Sequence, residues 1–331
     1  MKALVYTGPH ELAYREEPEP MPGNDEVLVK VEAVGICGSD MHAYHGHDER
    51  RPPPLVLGHE AAGMVLAGPR AGERVAVNPL VSCGRCTACL DGRSHLCRER
   101  QVLSMPPRPG AFAELVRVPE ANVVALPERL DIVRAALAEP IAVAWHAVRI
   151  GARLLPRPLA ASRCVVMGGG AIGLAAALVL VHFGAHDVAV AETNALRRKT
   201  VAAAGALRAY APGERGEPEA GTVDLVIDAV AAEATRAAAC RLAAPGGTIV
   251  HVGLLPGAGG LDVRRITLQE ITFVGSYCYT PVDFAETVAA LGAGRLGPLG
   301  WIEERGLAEG ARAFADLDGQ LVAAAKIVLR P

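Results

Sequence analysis

Aromatic residues make up only 4% of this sequence. That is too few for the stacking platforms on which single-stranded nucleic acids are held. Charge of one sign is also missing: 33 Lys and Arg stand against 36 Asp and Glu, a formal net charge of −3. A chain so nearly balanced has no electrostatic footprint for nucleic acid or an anionic membrane surface. The opening "MKALVYTGPHELAYREEPEP" has an apolar run of only a few residues before polar, Pro-rich sequence. It does not read as a secretory signal, and the cytoplasm is the expected compartment. One uncharged stretch, 164–181, approaches the length of a membrane span, but four of its first ten residues are Gly. A glycine turn there leaves too short a helix to cross a bilayer. Internal repeats and low-complexity tracts are absent, and the Pro-rich "RRPPPL" (50–55) reads as a loop.

What is present is apolar mass and sulfur. The 331 residues are 51% hydrophobic, enough for two ordinary domains with large cores. Without a secretion signal the eight cysteines are expected to be reduced. Four of them follow the pattern Cys83-x2-Cys86-x2-Cys89-x7-Cys97. Repeated C-x-x-C spacing lets neighbouring thiolates turn inward onto one tetrahedral Zn²⁺. A redox pair or two disulfides would use the same thiols, but two extra cysteines in register favour zinc. Four thiolates close the coordination sphere, so this site (lobe 82–98) is structural, and chemistry needs a second, open site.

The first half of the chain reads as strands and loops. "DEVLVKVEAVGIC" (25–37), "ERVAVNP" (73–79) and "AFAELVRVP" (111–119) alternate apolar and polar residues between Pro and Gly breaks, as in an irregular β-barrel domain. The character changes near 135, where "AALAEPIAVAWHAVRI" is helical in composition. From 163 onward, apolar strand candidates alternate with Ala-rich helical stretches at 171–184, 194–206 and 231–243. That pattern predicts a parallel sheet covered on both faces. A further helix is expected at 281–293 and a last strand at "AAKIVLR".

"VVMGGGAIGLAAA" (165–177) contains Gly168-x-Gly170-x-x-Gly173 between a strand and a helix candidate. Gly168 permits the tight turn, Gly170 lets a pyrophosphate approach the backbone, and Gly173 lets helix and strand pack closely. The pyrophosphate would meet the helix N-terminus, near Ala171 and Ile172. Glu192 ends the second strand, 19 residues past Gly173. Its carboxylate should accept from the adenosine ribose and repel a 2′-phosphate, which favours NAD. Arg197, Arg198 and Lys199 follow closely and could admit NADP.

Three fragments carry possible ligands for the open site: Cys37-Gly38-Ser39-Asp40-Met41-His42, Gly58-His59-Glu60, and Glu139-Pro140. A thiolate, an imidazole and a carboxylate suit borderline-soft Zn²⁺ and leave a coordination position free. "HGHDER", with His45 and His47, reads as a solvated loop. Cys164, Cys240 and Cys278 read as packing residues. Trp145, Phe112 and Tyr279 are candidates for lining a pocket, and His146 and His251 for core or near-cofactor positions.

"GICGSDMH", "LGHEAAG", "CGRCTACLDGRSHLC", "LAEPIAVAWHA" and the glycine turn occur in one order along nearly the whole chain. The sequence thereby resembles the zinc-dependent medium-chain dehydrogenase/reductase family, in its polyol (sorbitol/galactitol-type) branch. The resemblance implies a GroES-like irregular β-barrel catalytic domain (1–140 and 276–331) and a doubly wound Rossmann cofactor domain (141–275). It implies two zinc ions per subunit, one structural and one catalytic on Cys37 and His59, with Glu60 as a direct or alternate ligand and Glu139 binding the metal, its water or the substrate, and NAD preferred over NADP. Ser39 would pass on the alcohol proton and His42 would be the outer member of that relay. Glu192, Thr193 and Arg197 would contact the adenosine ribose, and Val252-Gly253-Leu254 and Ser276-Tyr277 would line the nicotinamide. The expected reaction oxidises a secondary alcohol of a polyol to a ketone, in a homodimer or homotetramer. Threonine, 2,3-butanediol and aldose substrates remain alternatives. Two departures bear on the pocket: "MVLAGPRAGERV" is shorter than is usual in the family, and "SMPPRPGAFAE" is Pro-rich. A zinc-free reductase of this architecture would lack the Cys and His present here. A non-enzymatic NAD-binding zinc protein would show a damaged open site.

Overall fold

The structure, a computed structural model, describes residues 1–67, 70–205 and 207–331. Gly68 and Pro69, in the shortened "MVLAGPRAGERV" connection, and Ala206, at the end of an expected helix, lie outside the described residues. The chain forms two units. One comprises Met1–Pro140, Thr280–Gly294 and Ile302–Pro331; the other comprises Ile141–Tyr279 and Arg295–Trp301.

The first unit begins with an antiparallel pair, β1 (Lys2–Gly8) and β2 (Glu11–Glu16). β3 (Glu26–Gly35) is the longest strand. Its alternating apolar residues bury Val27, Val29 and Val31 in the core, as its period of two requires. Helix α1 (Gly38–Tyr44) follows almost at once. β4 (Leu55–Val56) pairs with β1, and β5 (Glu60–Ala67) and β6 (Arg74–Val77) extend the sheet of β3. β7 (Leu80–Val81) and β8 (Gln101–Val102) pair with each other at the two ends of the cysteine lobe, which contains the single turn α2 (Thr87–Leu90). β9 (Leu115–Pro119) pairs with β3, and β10 (Val123–Ala125) with β6. A short α3 (Ile132–Ala135) is capped by the Asp131 carboxylate, which accepts from the N–H groups of Val133 and Arg134.

Helix α4 (Ala138–Leu154) leads into the second unit. Pro140 lies in its first turn, where a missing N–H costs nothing, so it starts the helix rather than breaking it. Then come β11 (Arg163–Met167), α5 (Ala171–His182), β12 (Asp187–Ala191), α6 (Ala195–Ala204), β13 (Arg208–Tyr210), β14 (Val223–Asp228), α7 (Glu233–Leu242), β15 (Ala243–His251), α8 (Val263–Leu268) and β16 (Thr272–Gly275). All six strands are parallel, in the order β13-β12-β11-β14-β15-β16. The order reverses beside β11, and a doubly wound sheet binds its ligand at such a switch point. The glycine turn follows β11 directly.

The chain then returns to the first unit through α9 (Pro281–Gly292), β17 (Ile302–Gly306), α10 (Gly310–Asp318) and β18 (Lys326–Arg330). β18 pairs antiparallel with β3 and parallel with β17. Phe314, Ile327 and Leu329 thereby enter the same core as Leu4, Tyr6 and Phe112. No helix among the described residues is long and apolar enough to cross a membrane.

Candidate active site

Cys37 caps the start of α1, and its N–H donates to Asp40 Oδ2 at 3.0 Å. His59 and Glu60 stand at the start of β5, across from Gly35 at the end of β3. The metal-capable atoms of Cys37, His59 and Glu60 all lie within 4.8 Å of one another. A thiolate, an imidazole and a carboxylate thus converge from two neighbouring segments.

Two buried partners hold this trio. Asp40, fully buried, places Oδ1 3.5 Å from His59 Nδ1, which leaves Nε2 as the ring's other donor atom. A carboxylate behind a ligating imidazole fixes its tautomer and orientation. Burial disfavours charge on His59, but the Asp40 carboxylate and the Cys37 sulfur outweigh it and hold the imidazole pKa well above its ordinary value. The same ring helps hold the Asp40 carboxyl low against its own burial. The second partner is Lys326 on β18. Its Nζ donates to Glu60 Oε1 at 2.6 Å and to the Ile36 carbonyl at 2.8 Å. Both side chains are almost fully buried.

Glu60 Oε2 is buried with no hydrogen-bond partner. A buried carboxylate oxygen carries a large desolvation cost, which a cation among the trio would offset. The donor set therefore fits a zinc ion. Gly35 is part of this fit, because a Cβ there would overlap Glu60 Oε2.

Glu139 is buried in the first turn of α4 and does not belong to the trio. Its charge still reaches Lys326, whose pKa is raised by Glu60 first, with Cys37 and Glu139 adding to it, against the effect of burial. Ser39 and His42 lie one turn apart on α1, three positions being one face of a helix. Ser39 is held by Arg51, whose guanidinium donates to the Ser39 carbonyl at 3.0 Å and to Oγ at 3.4 Å. Arg51 is buried; it also pairs with Asp48 at 2.8 Å and donates to the Ser104 carbonyl at 3.0 Å. Partial burial lowers the His42 pKa, keeping its ring neutral over a wider range.

The sulfur lobe gathers as its spacing requires. The Cys83–Cys97 and Cys86–Cys89 sulfurs are 3.5 Å apart, Cys83–Cys89 3.9 Å, and none is in a disulfide. N–H groups of Arg85 and Cys86 lower the Cys83 thiol to about 6, making it a thiolate at neutral pH. Cys89→Ser is expected to lose one zinc per chain. A loss of about 3 kcal/mol would lower Tm by roughly 10 °C. Metal analysis and calorimetry check this, and a variant that keeps its Tm but loses only kcat would contradict a structural role.

In the second unit the glycine turn has the expected geometry. Gly168 has φ +93°, open to glycine at little cost. A Cβ on Gly173 would overlap the Gly168 carbonyl. Gly170, the N-cap of α5, has nothing within 4 Å of where a Cβ would stand. That open space, beside unpaired N–H groups of the first helical turn at Ala171 and Ile172, fits a pyrophosphate. Glu192 lies across from it, accepting from the Gly169 and Asn194 N–H groups at 2.7 Å each. Arg198 is committed to the Glu192 and Thr193 carbonyls at 2.9 and 2.7 Å. Arg197 Nε is buried without a partner. Val252 and Gly253 follow β15, and both their N–H groups donate to the Asp228 carbonyl. Leu254 is exposed, while Ser276 is buried with an unpartnered Oγ.

The aromatic candidates are core residues. Phe112 stacks edge-on to Phe314, and Trp145 packs on His182 and Phe183. Tyr279 is 1% exposed. Cys164 and Cys240 are buried, and burial drives the Cys164 thiol up to about 12, so it is inert. Asp40, Arg51 and Lys326 were not singled out by spacing; only Asp40 carried a signal, sitting within the "GICGSDMH" fragment.

Residues 23–128 match the family model "Alcohol dehydrogenase GroES-like domain", and residues 171–293 match "Zinc-binding dehydrogenase". L-galactonate-5-dehydrogenase of Escherichia coli K12 is 34% identical over 309 residues, covering 89% of this chain and 88% of its own. Sorbitol dehydrogenase of Bacillus subtilis 168 is 40% identical over 62% of this chain and 60% of its own. Among solved structures, an alcohol dehydrogenase of Escherichia coli CFT073 complexed with NADH superposes with a TM-score of 0.89 at 29% identity, over 100% of this chain and 99% of that one. With these matches along both units, the chain belongs to the zinc-binding alcohol dehydrogenase family.

Proposed function

We propose that this protein oxidises a secondary alcohol of a polyol or sugar acid to a ketone, passing the hydride to NAD. The observation that carries the reading is the convergence of half-buried Cys37 with buried His59 and Glu60, whose carboxylate keeps one oxygen unsatisfied. A zinc ion held by Cys37, His59 and Glu60 supplies Lewis acidity toward an alcohol oxygen, and NAD supplies the hydride acceptor. Asp40 holds the His59 ring in one orientation. Lys326 keeps one oxygen of Glu60 occupied and the other available. Ser39, positioned by Arg51, accepts the alcohol proton at Oγ while its own hydroxyl proton passes outward toward His42, which releases one to solvent. Glu139 binds water or a substrate hydroxyl rather than completing the ligand set.

The carboxylates support a polar pocket suited to several hydroxyls, and the names of the two curated relatives are of that class. Glu192 supports NAD, since its charge opposes a 2′-phosphate and Arg198 is already spent on backbone carbonyls. The eight free thiols support a reducing cytoplasm, and the family reading supports a homodimer or homotetramer. The test is the near-ultraviolet absorbance of reduced nicotinamide during incubation with sugar alcohols, sugar acids, diols and simple secondary alcohols. NAD and NADP are compared, with and without a chelator. The expected result is chelator-sensitive NADH formation, fastest with a polyhydroxylated substrate. Equal rates with and without chelator, or faster turnover of simple aliphatic alcohols, would sink the reading.

A further inference from the structure

A second set of metal-capable side chains lies in the first unit, apart from both sites above. His10 is in the turn between β1 and β2, His45 caps the end of α1, and Asp318 is the last residue of α10. Their donor atoms all lie within 4.8 Å of one another. His45 Nε2 is 2.7 Å from Asp318 Oδ1, and His10 Nδ1 is 3.9 Å from Oδ2. Ligands on a tetrahedral zinc stand roughly 3.3 Å apart. Changes of no more than about 1.5 Å in the separations of their donor atoms therefore suffice to bring these three onto one ion.

The elements carrying them are fixed relative to one another. The His10 N–H donates to the Tyr44 carbonyl at 2.7 Å, and the His10 ring packs edge-on to Tyr44 at 4.8 Å. Tyr44 is buried and packs on Phe314 of α10, one turn before Asp318. His10 itself is held at φ +62°, a backbone region costly for a side-chain-bearing residue and kept only where its surroundings demand it. Asp318 places a carboxylate at the negative end of a helix, where an anion is disfavoured and a cation is welcome.

We propose that His10, His45 and Asp318 form a third metal site, for a divalent transition ion of the zinc class. Two imidazoles and a carboxylate are a borderline-soft set that suits zinc or copper and not calcium or magnesium. Bound there, the ion ties the first hairpin and the end of α10 to α1, the helix that carries Ser39 and His42.

The probe is Cu²⁺ added to the zinc-replete full chain, because copper binds such sets more tightly than other divalent ions of its row. One added copper per chain should give an electron paramagnetic resonance spectrum with coupling to imidazole nitrogens, and only a large excess of Zn²⁺ should displace it. His10→Ala should remove one nitrogen from the spectrum. His45→Ala and the near-isosteric Asp318→Asn should lose the added equivalent, while both variants keep the zinc of the other two sites. Tm should rise with added Zn²⁺ in the parent and not in these variants. Failure of the parent to bind copper, or an unchanged spectrum in His10→Ala and Asp318→Asn, would overturn the proposal. None of these readouts depends on turnover, so the outcome is independent of the proposed reaction.

Discussion

His59→Ala is expected to lower kcat/KM by about 10³-fold or more while leaving NADH affinity unchanged. Removing the imidazole deprives the trio of one of its three donors. Lewis-acid stabilisation is worth several kcal/mol, and about 4 kcal/mol corresponds to 10³ in rate. The vacancy also removes the imidazole that faces the buried Asp40 carboxylate at 3.5 Å, leaving it only backbone N–H donors from Cys37 and Gly58. The glycine turn and Glu192 belong to the other unit, so cofactor binding should survive. Steady-state kinetics and quenching of protein fluorescence by NADH measure the two effects separately. A variant with near-parental turnover would remove the catalytic role assigned to the trio. Equal loss of cofactor binding and rate would point to unfolding instead.

Lys326→Met should be the most damaging single change to stability. It deprives buried Glu60 Oε1 of its partner, and in the metal-free chain Oε2 lacks one too. Breaking a buried pair by removing one member costs about 3–5 kcal/mol. Replacing both members by apolar residues is often nearly neutral, so Lys326→Met with Glu60→Leu should recover most of the lost stability while remaining inactive. Urea unfolding of the single and double variants gives the coupling directly, and simple additivity would show that the pair does not matter. The pH dependence has a definite sign. The Lys326 pKa lies above its ordinary 10.5 in the folded chain. Its contribution is therefore complete at neutral pH and up to that value, and is lost only as pH rises through the higher folded value.

Lys326 also marks where the sequence stops being legible. The cysteine lobe was readable because its four thiols fall within one short loop. The glycine turn was readable because strand, turn, helix and Glu192 form one local unit. In both, spacing along the chain stands in for distance in space. Lys326 reaches Glu60 across 266 positions, and nothing in "AAKIVLR" distinguishes it from an exposed lysine on an edge strand. Arg51 lies in the Pro-rich "RRPPPL", which is a loop up to Leu55, the first residue of β4; only packing reveals that its guanidinium turns inward onto Ser39. Glu139-Pro140 is a weak fragment by itself and starts α4, and its place near the metal came only from the resemblance; the trio that gathers is Cys37, His59 and Glu60.

The late arrival of β18 beside β3 has a consequence for biosynthesis. The six-stranded parallel unit is translated in one nearly continuous stretch and can fold while the ribosome is still at work. The β-rich unit has to wait with an open sheet edge and a buried acid that lacks its counter-charge. During that interval its exposed strands are the part of the nascent protein most in need of a chaperone.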